Sequence, residues 1–415
     1  MSKSWEHGFY KRSVNQRHQL LAKYRGLTEE QSQLLFSQSD DTGNQLVENY
    51  VFNYQVPEGV ATGLVVNGKK YLMPMATEEP SVIAAASNGA QRVAKNGGFI
   101  TTMQPRLVVG QVVLKAMTRS QVQWLQTQQA TIKAIANAAK PSLVQRGGGV
   151  MEVRFRSMDD FLSVDLLINP SEAMGANSVN TMAEAVKQWL LEQDLPVLTA
   201  ILSNNGQDSV QTVTARVNVR DLATMTMDGQ QVATRIADLS ALAQVDVYRA
   251  VTHNKGIMNG IDAALLASGN DWRANEAAAH AYASRSGQYR GLSQWQLEGD
   301  ELVGTLTMPL QVGVVGGSIK VLPQSKLNYQ LSQIQTAAEL ASVILSLGLA
   351  QNLAALRALA STGIQAGHMQ LQYRALAMQV GATTAEIEPL VKLLRATPQV
   401  DTRVAERLLA QLRGE

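Results

Sequence analysis

The order of apolar patterns between Pro105 and Val219 narrows the fold more than any other feature of this chain. A strand-like pattern at Arg106–Val113 leads into a long helical one at Thr118–Ala139. Two more strand patterns follow at Val150–Arg156 and Ser163–Ile168, then a helix at Ser178–Gln193 and a strand at Ser209–Val219. That order, β-α-β-β-α-β, reads as a ferredoxin-like split βαβ unit. With 415 residues the chain has length for two or three domains and a large core. The unit therefore reads as a compact insert within a larger α/β (α+β) domain.

The flanking segments fit such a domain. Trp5 to Gln38 predict two short helices, the second opened by a Thr28/Gln31 capping box. His7 and His18 stand among Lys, Arg and Gln, which predicts a solvated face. From Glu48 to Met75 the pattern turns strand-like, and Asn67-Gly68 between apolar runs predicts a hairpin. Its return strand, Tyr71–Met75, delivers Thr77-Glu78-Glu79-Pro80-Ser81 just before a small-residue helix, Val82–Ala94. The large domain resumes with helices at Gly229–Gln244 and Trp272–Ser286 and a strand pair at Gln294–Gln311. A glycine-rich turn, Gly313–Ser318, and the apolar helices of Gln333 to Ser361 complete it. Ala337 to Ala360 is interrupted by Glu339, Ser342, Ser346, Gln351 and Arg357, so it predicts a buried helix rather than a membrane span. After Gly363 comes a smaller helical tail, with a Thr383/Glu386 capping box and an Asp401 N-cap.

Composition excludes several chemistries. The chain has no cysteine, which removes disulfides, thiolate metal sites and cysteine nucleophiles and suits a reducing compartment. The net charge of +2 asks for no nucleic-acid or membrane partner. The N-terminus lacks the apolar core of a signal peptide. The expectation is a soluble, cytoplasmic protein. The five histidines are scattered without metal-ligand spacing, so no metal is expected. There is no GxSxG elbow, no P-loop and no GxGxxG fingerprint.

What remains is a set of ionisable residues beside glycine. The stretch THNKGIMNGIDAALLASGNDWRA, Thr252 to Ala274, predicts Lys255 in a glycine-punctuated loop and Asp271 at a Gly269-Asn270 turn. Read locally, this fits either a surface turn or a cation and a carboxylate carried on tight backbone for chemistry. Glu79 and His368 are the other candidates. A lysine between carboxylates would stay charged and stabilise an oxyanion. His253 and His280 read as structural. Gly147-Gly148-Gly149, Met174-Gly175-Ala176-Asn177 and Gly313–Gly317 are turns that would let backbone N–H groups approach a phosphate.

The motifs MPMATEEPSVIAAAS, SEAMGANSVNTMAEAV, RAVTHNKGIMNGIDAALLASGNDWRA, VGVVGGS and GLAQNLAALRALASTGIQAGHM occur in that order. Through them the chain resembles the class II 3-hydroxy-3-methylglutaryl-CoA (HMG-CoA) reductases over nearly its whole length. The resemblance implies a large substrate-binding and dimerisation domain (1–104 and 207–362), a ferredoxin-like NAD(P)-binding insert (105–206) and a mobile C-terminal flap (363–415). It implies reduction of HMG-CoA to mevalonate and CoA, in a homodimer with shared sites. The alternatives are the reverse oxidation of mevalonate with NAD and a silent CoA- or nucleotide-binding homologue. Carried over residue by residue, Glu79, Lys255, Asp271 and His368 match the catalytic set. Ser81, Asn204 and Arg249 match positions that hold the hydroxymethylglutaryl group. Met174, Gly175 and Asn177 match the cofactor turn. Two positions depart from the pattern. Glu172 stands where the family has aspartate in the cofactor turn, and Phe52 stands where it has glycine in Glu48-Asn49-Tyr50-Val51-Phe52. Lys140 stands where NAD-using members carry an acid. A cation suits a 2′-phosphate, so the implied cofactor is NADPH, with NADH as the alternative.

Overall fold

The computed structural model describes residues 5–361 and 373–414. In chain order it begins with three short helices, α1 (Val14–Arg25), α2 (Glu29–Ser37) and α3 (Asp41–Leu46). The Thr28/Gln31 capping box opens α2 as expected. The hairpin β1 (Glu58–Val66) and β2 (Lys69–Ala76) follows, then α4 (Val82–Ala94) and β3 (Phe99–Thr102). Next come β4 (Val108–Lys115), α5 (Arg119–Thr127), α6 (Gln129–Ala138), α7 (Pro141–Val144), β5 (Gly149–Met158), β6 (Phe161–Asn169), α8 (Ala176–Glu192) and β7 (Val197–Ser203). The chain continues through β8 (Val210–Asn218), α9 (Gly229–Val245), α10 (Val247–Ala267), α11 (Trp272–Ala283), β9 (Ser293–Glu298) and β10 (Glu301–Pro309). It then forms α12 (Pro323–Ser332) and α13 (Ala337–Ala360).

Two sheets organise these elements. The larger has six strands in the order β2-β1-β3-β8-β10-β9. Val66 pairs with Lys69 across the Asn67-Gly68 turn, where both turn residues take positive φ. α13 packs against α4, α9 and α10 over this sheet. Leu340, Leu345, Leu349 and Leu353 of α13 are fully buried, and each such side chain stabilises the fold by about 1.5–3 kcal/mol. The most apolar helix is thus the centre of the large core. Gly89 of α4 has no room for a Cβ, which would fall 2.0 Å from the Ala350 carbonyl oxygen of α13.

The smaller sheet is antiparallel, in the order β5-β6-β4-β7, with α6 and α8 packed on it. It has a separate core that includes Val112, Leu166, Val179 and Met182. The β-α-β-β-α-β order holds, but its last strand is β7. The strand expected there, residues 209–219, is β8, which pairs with β3 and β10 in the large sheet. The single helix expected over Thr118–Ala139 is broken at Gln128 into α5 and α6.

Two further expectations change. Lys255 is not in a loop: it sits inside α10, a 21-residue helix that includes Gly256 and Gly260. Gly260 lets α13 approach, because a Cβ there would lie 3.2 Å from Cβ of Gln351. His18 is fully buried, with Nε2 2.5 Å from the Val51 carbonyl and its ring edge-on to Phe36. Phe52 stands partly exposed in a segment without regular structure.

Candidate active site

β2 ends at Ala76, and the turn after it places Glu79 between the large sheet and α4. α10 crosses this point. Lys255 Nζ lies 2.5 Å from Glu79 Oε2. Asn259, one helical turn on and so on the same face, donates from Nδ2 to the other carboxylate oxygen at 3.3 Å. One carboxylate is thereby held at both oxygens by one helix. The pair is partly open to water, with side chains 59% (lysine) and 36% (glutamate) exposed. Such a pair contributes little to stability.

The pair faces a cavity of about 670 Å³, also lined by Ser81, Arg249, Gly256 and the C-terminal turns of α13. Ser81 takes a φ of 73°, left-handed backbone that a non-glycine residue adopts at a cost. It is the N-cap of α4 yet makes no side-chain cap bond, so its hydroxyl remains for a ligand. The opening residues of α4 also line the cavity, and a helix N-terminus favours negative charge. Arg249 has a buried Nε without a hydrogen-bond partner, and burial lowers the pKa of its guanidinium. A half-buried guanidinium whose Nε lacks a partner, beside a helix N-terminus, suits a carboxylate or another anion. Nothing lies within 4 Å of where a Cβ on Gly256 would stand, so the floor beside Lys255 stays open.

The other expected residues lie elsewhere. Asp271 is the N-cap of α11: Oδ1 accepts from Ala274 N at 3.0 Å and lies 3.6 Å from Arg273. It does not line the cavity, and its described contacts do not reach Lys255 or Glu79. Asn204 is exposed in the link between β7 and β8. His368 lies outside the described residues. Within one chain, then, Glu79, Ser81, Arg249 and Lys255 come together, while Asp271 and Asn204 do not join them. Asn259 was missed by sequence reasoning. Its i+4 spacing from Lys255 would have found it once the segment was read as a helix.

The glycine turns form a second locus. Gly175 has φ 112° and opens α8 without a side-chain cap, leaving the first backbone N–H groups, including that of Asn177, for an anion. Met174 beside it meets the Gly313 turn: a Cβ on Gly313 would lie 2.3 Å from Met174 N. Val314 N donates to the Glu172 carbonyl at 2.9 Å, and Ala173 bridges to Val315. The Glu172 carboxylate accepts from Ala337 N at 2.6 Å, at the start of α13. Half-buried Arg106 donates to the carbonyls of Val312 and Ser171. The turn is thus clamped to the large sheet's loops, and the carboxylate of Glu172 holds structure. Lys140 is the N-cap of α7, close in sequence to the Gly147–Gly149 turn that starts β5. These residues fit a phosphate-bearing dinucleotide: uncapped N–H groups, glycines where backbone must come close, and a cation.

A family model described as hydroxymethylglutaryl-coenzyme A reductase matches residues 13–373. The chain is 39% identical to the 3-hydroxy-3-methylglutaryl-coenzyme A reductase of Archaeoglobus fulgidus, over 98% of this chain and 94% of that protein. The solved structure of the Streptococcus pneumoniae reductase superposes with a TM-score of 0.75 at 43% identity, covering 98% of this chain and all of that one. A class II structure from the same organism, bound to NADPH in open conformations, matches with the same score and identity over 97% of this chain.

Proposed function

Because the chain belongs to the hydroxymethylglutaryl-coenzyme A reductase family, we propose that the Lys255 cavity is where HMG-CoA is reduced to mevalonate. The protein is an oxidoreductase of the mevalonate pathway. The observation that carries the assignment of the site is the Lys255–Glu79 contact of 2.5 Å in a cavity that also holds Arg249.

Met174, Gly175, Asn177 and Lys140 would hold a nicotinamide cofactor, which when bound would supply the hydride used twice per mevalonate. Arg249, Ser81 and the α4 N-terminus bind the carboxylate end of the substrate. Lys255 faces the thioester carbonyl and stabilises the negative charge that grows on its oxygen. Glu79, oriented by Lys255 and Asn259, is placed to pass a proton to that oxygen. His368 protonates the departing CoA thiolate, and closure of the C-terminal segment excludes water. Asp271 comes from a second copy of the chain. That reading is supported by its absence from the cavity of its own chain, and it makes the working unit a homodimer. The apolar helix α13 is packed in the core, and the chain lacks cysteine; both support work in the cytoplasm, free of the membrane.

The test is absorbance at the nicotinamide band with HMG-CoA and either cofactor. An HMG-CoA-dependent loss, faster with NADPH, is expected; no dependence on HMG-CoA with either cofactor would overturn the proposal. Lys140→Asp is expected to shift the NADPH:NADH preference about tenfold toward NADH, the equivalent of ~1.4 kcal/mol. A wild type that prefers NADH strongly would reverse the reading of Lys140 and favour the degradative direction. Mixing inactive Lys255→Ala and Asp271→Ala chains should restore about a quarter of wild-type activity if sites are shared, since each mixed dimer then has one intact site. No recovery after verified subunit exchange would place Asp271 outside a shared site.

A further inference from the structure

A second cavity, of about 330 Å³, shares no lining residue with the Lys255 cavity. It lies where the end of α11 and the following turn meet β9 and β10, and Arg285 and Arg290 stand exposed at its edge. Its other polar lining side chains are hydroxyls and amides: Ser286, Thr305, Thr307, Gln244 and Gln294. No acid lines it. Among the described residues, no carboxylate lies within ion-pair distance of either arginine. Arg285 instead stacks on Tyr282, 3.8 Å from the ring centroid, and donates to the Tyr282 carbonyl at 2.8 Å. Arg290 donates to the Gln288 amide oxygen at 3.4 Å.

Two guanidiniums without an acid, over a floor rich in hydroxyls, form a site for an oxyanion. Planar guanidinium forks match phosphate geometry, and the bonds are charge-assisted. The volume is at the low end of small-molecule sites, which suits one phosphate group with a small organic remainder.

The cavity is tied to the catalytic helix. Asn254, buried and immediately before Lys255, donates from Nδ2 to the Arg290 carbonyl at 2.9 Å and accepts from Leu292 N at 2.8 Å. A Cβ on Gly291, between them, would lie 2.8 Å from Gln244 and 3.3 Å from His253. The segment carrying Arg290 is therefore pressed onto the helix turn that precedes Lys255.

We infer that this cavity is a phosphate-binding site, formed by Arg285 and Arg290, whose occupancy bears on the position of Lys255 through Asn254. The phosphate belongs either to the nucleotide end of the substrate or to a separate small phosphate ester.

The experiment is calorimetric titration of the full-length protein with inorganic pyrophosphate, which reads binding directly and needs no turnover. Saturable binding is expected, weakened about tenfold or more in Arg285→Gln/Arg290→Gln. Arg285→Lys/Arg290→Lys, which keeps the charge but loses the forks, should bind with intermediate affinity. Equal melting temperatures of the three proteins exclude misfolding. Absence of saturable binding, or equal affinity in the glutamine variant, overturns the inference. In steady-state assays, pyrophosphate competitive with HMG-CoA assigns the site to the substrate's own phosphates. An effect on kcat that HMG-CoA does not relieve assigns it to a separate ligand.

Discussion

Helix α10 carries two charged pairs, seven residues apart, built on opposite plans. At Lys255 a cation meets a carboxylate from another element, and both keep contact with water. At Asp262 a carboxylate faces Glu276 of α11, a like charge, and its Oδ1 is buried without a hydrogen-bond partner. Burial, and then the neighbouring Glu276, push the Asp262 pKa well above the ordinary carboxylate range. Glu276 is in turn 2.6 Å from His280 Nε2, and His280 Nδ1 is 2.7 Å from the Tyr289 hydroxyl. Glu276 thus has a partner on its far side, while Asp262 Oδ1 has none. One helix thus carries a paired, water-accessible cation at one point and a buried carboxyl of raised pKa at another. The difference comes from what each side chain meets.

Substitutions can break this contrast. Lys255→Ala should have the largest effect. Removing a group that stabilises an oxyanion is expected to lower kcat by about a thousandfold. The melting temperature should hardly move, because the ion pair is exposed. Near-wild-type turnover in that variant would sink the site. Asn259→Ala should act more weakly, lowering kcat on the order of tenfold by freeing one Glu79 oxygen. A change confined to KM would show that Asn259 binds rather than orients.

Asp262→Asn should leave turnover within about twofold and alter only stability against pH. Native Asp262 holds its proton to higher pH than the unfolded chain does. Between about pH 4 and the raised native value the native state therefore binds more protons, and stability falls as pH rises. The asparagine variant should match wild type near pH 4 and exceed it by a margin that widens as pH rises toward 8–9. Parallel melting curves across that range would show that Asp262 is charged in the fold. His253 acts in the other direction. Burial pushes its pKa down to about 3, so the unfolded chain takes up a proton first. Stability from this group is complete above about pH 6.5 and lost as pH falls toward the native value.

Much of this molecule was legible because some signals are local. Asn67-Gly68 specifies a turn that few other dipeptides make. Thr28 with Gln31, and Thr383 with Glu386, close capping boxes within one turn of helix. The polar interruptions in Ala337–Ala360 marked a buried helix, and the family resemblance pointed to Glu79, Lys255 and Arg249, which line one cavity. Strand membership was not local. Val197–Ser203 and residues 209–219 are both strand-like, and only hydrogen-bond partners decide which one closes the small sheet. His18 read as solvated because its neighbours are polar, yet the fold brings Phe36 and the Val51 carbonyl over it.

The sequence by itself determined the secondary elements with strong punctuation, the family and the candidate site residues. Tertiary structure decided where those groups stand. Glycines at 256 and 260 argue for a loop when only local propensity is weighed. In the fold, Gly260 admits α13 and Gly256 keeps the cavity open. Packing along α10 outweighs the helix cost of two glycines, and Lys255 is held on a rigid helix rather than a flexible turn. Asp271 shows the same principle: its sequence setting is that of an N-cap, and that is its role within its own chain. A side chain's partners are set by contacts between distant segments, which no window of sequence contains.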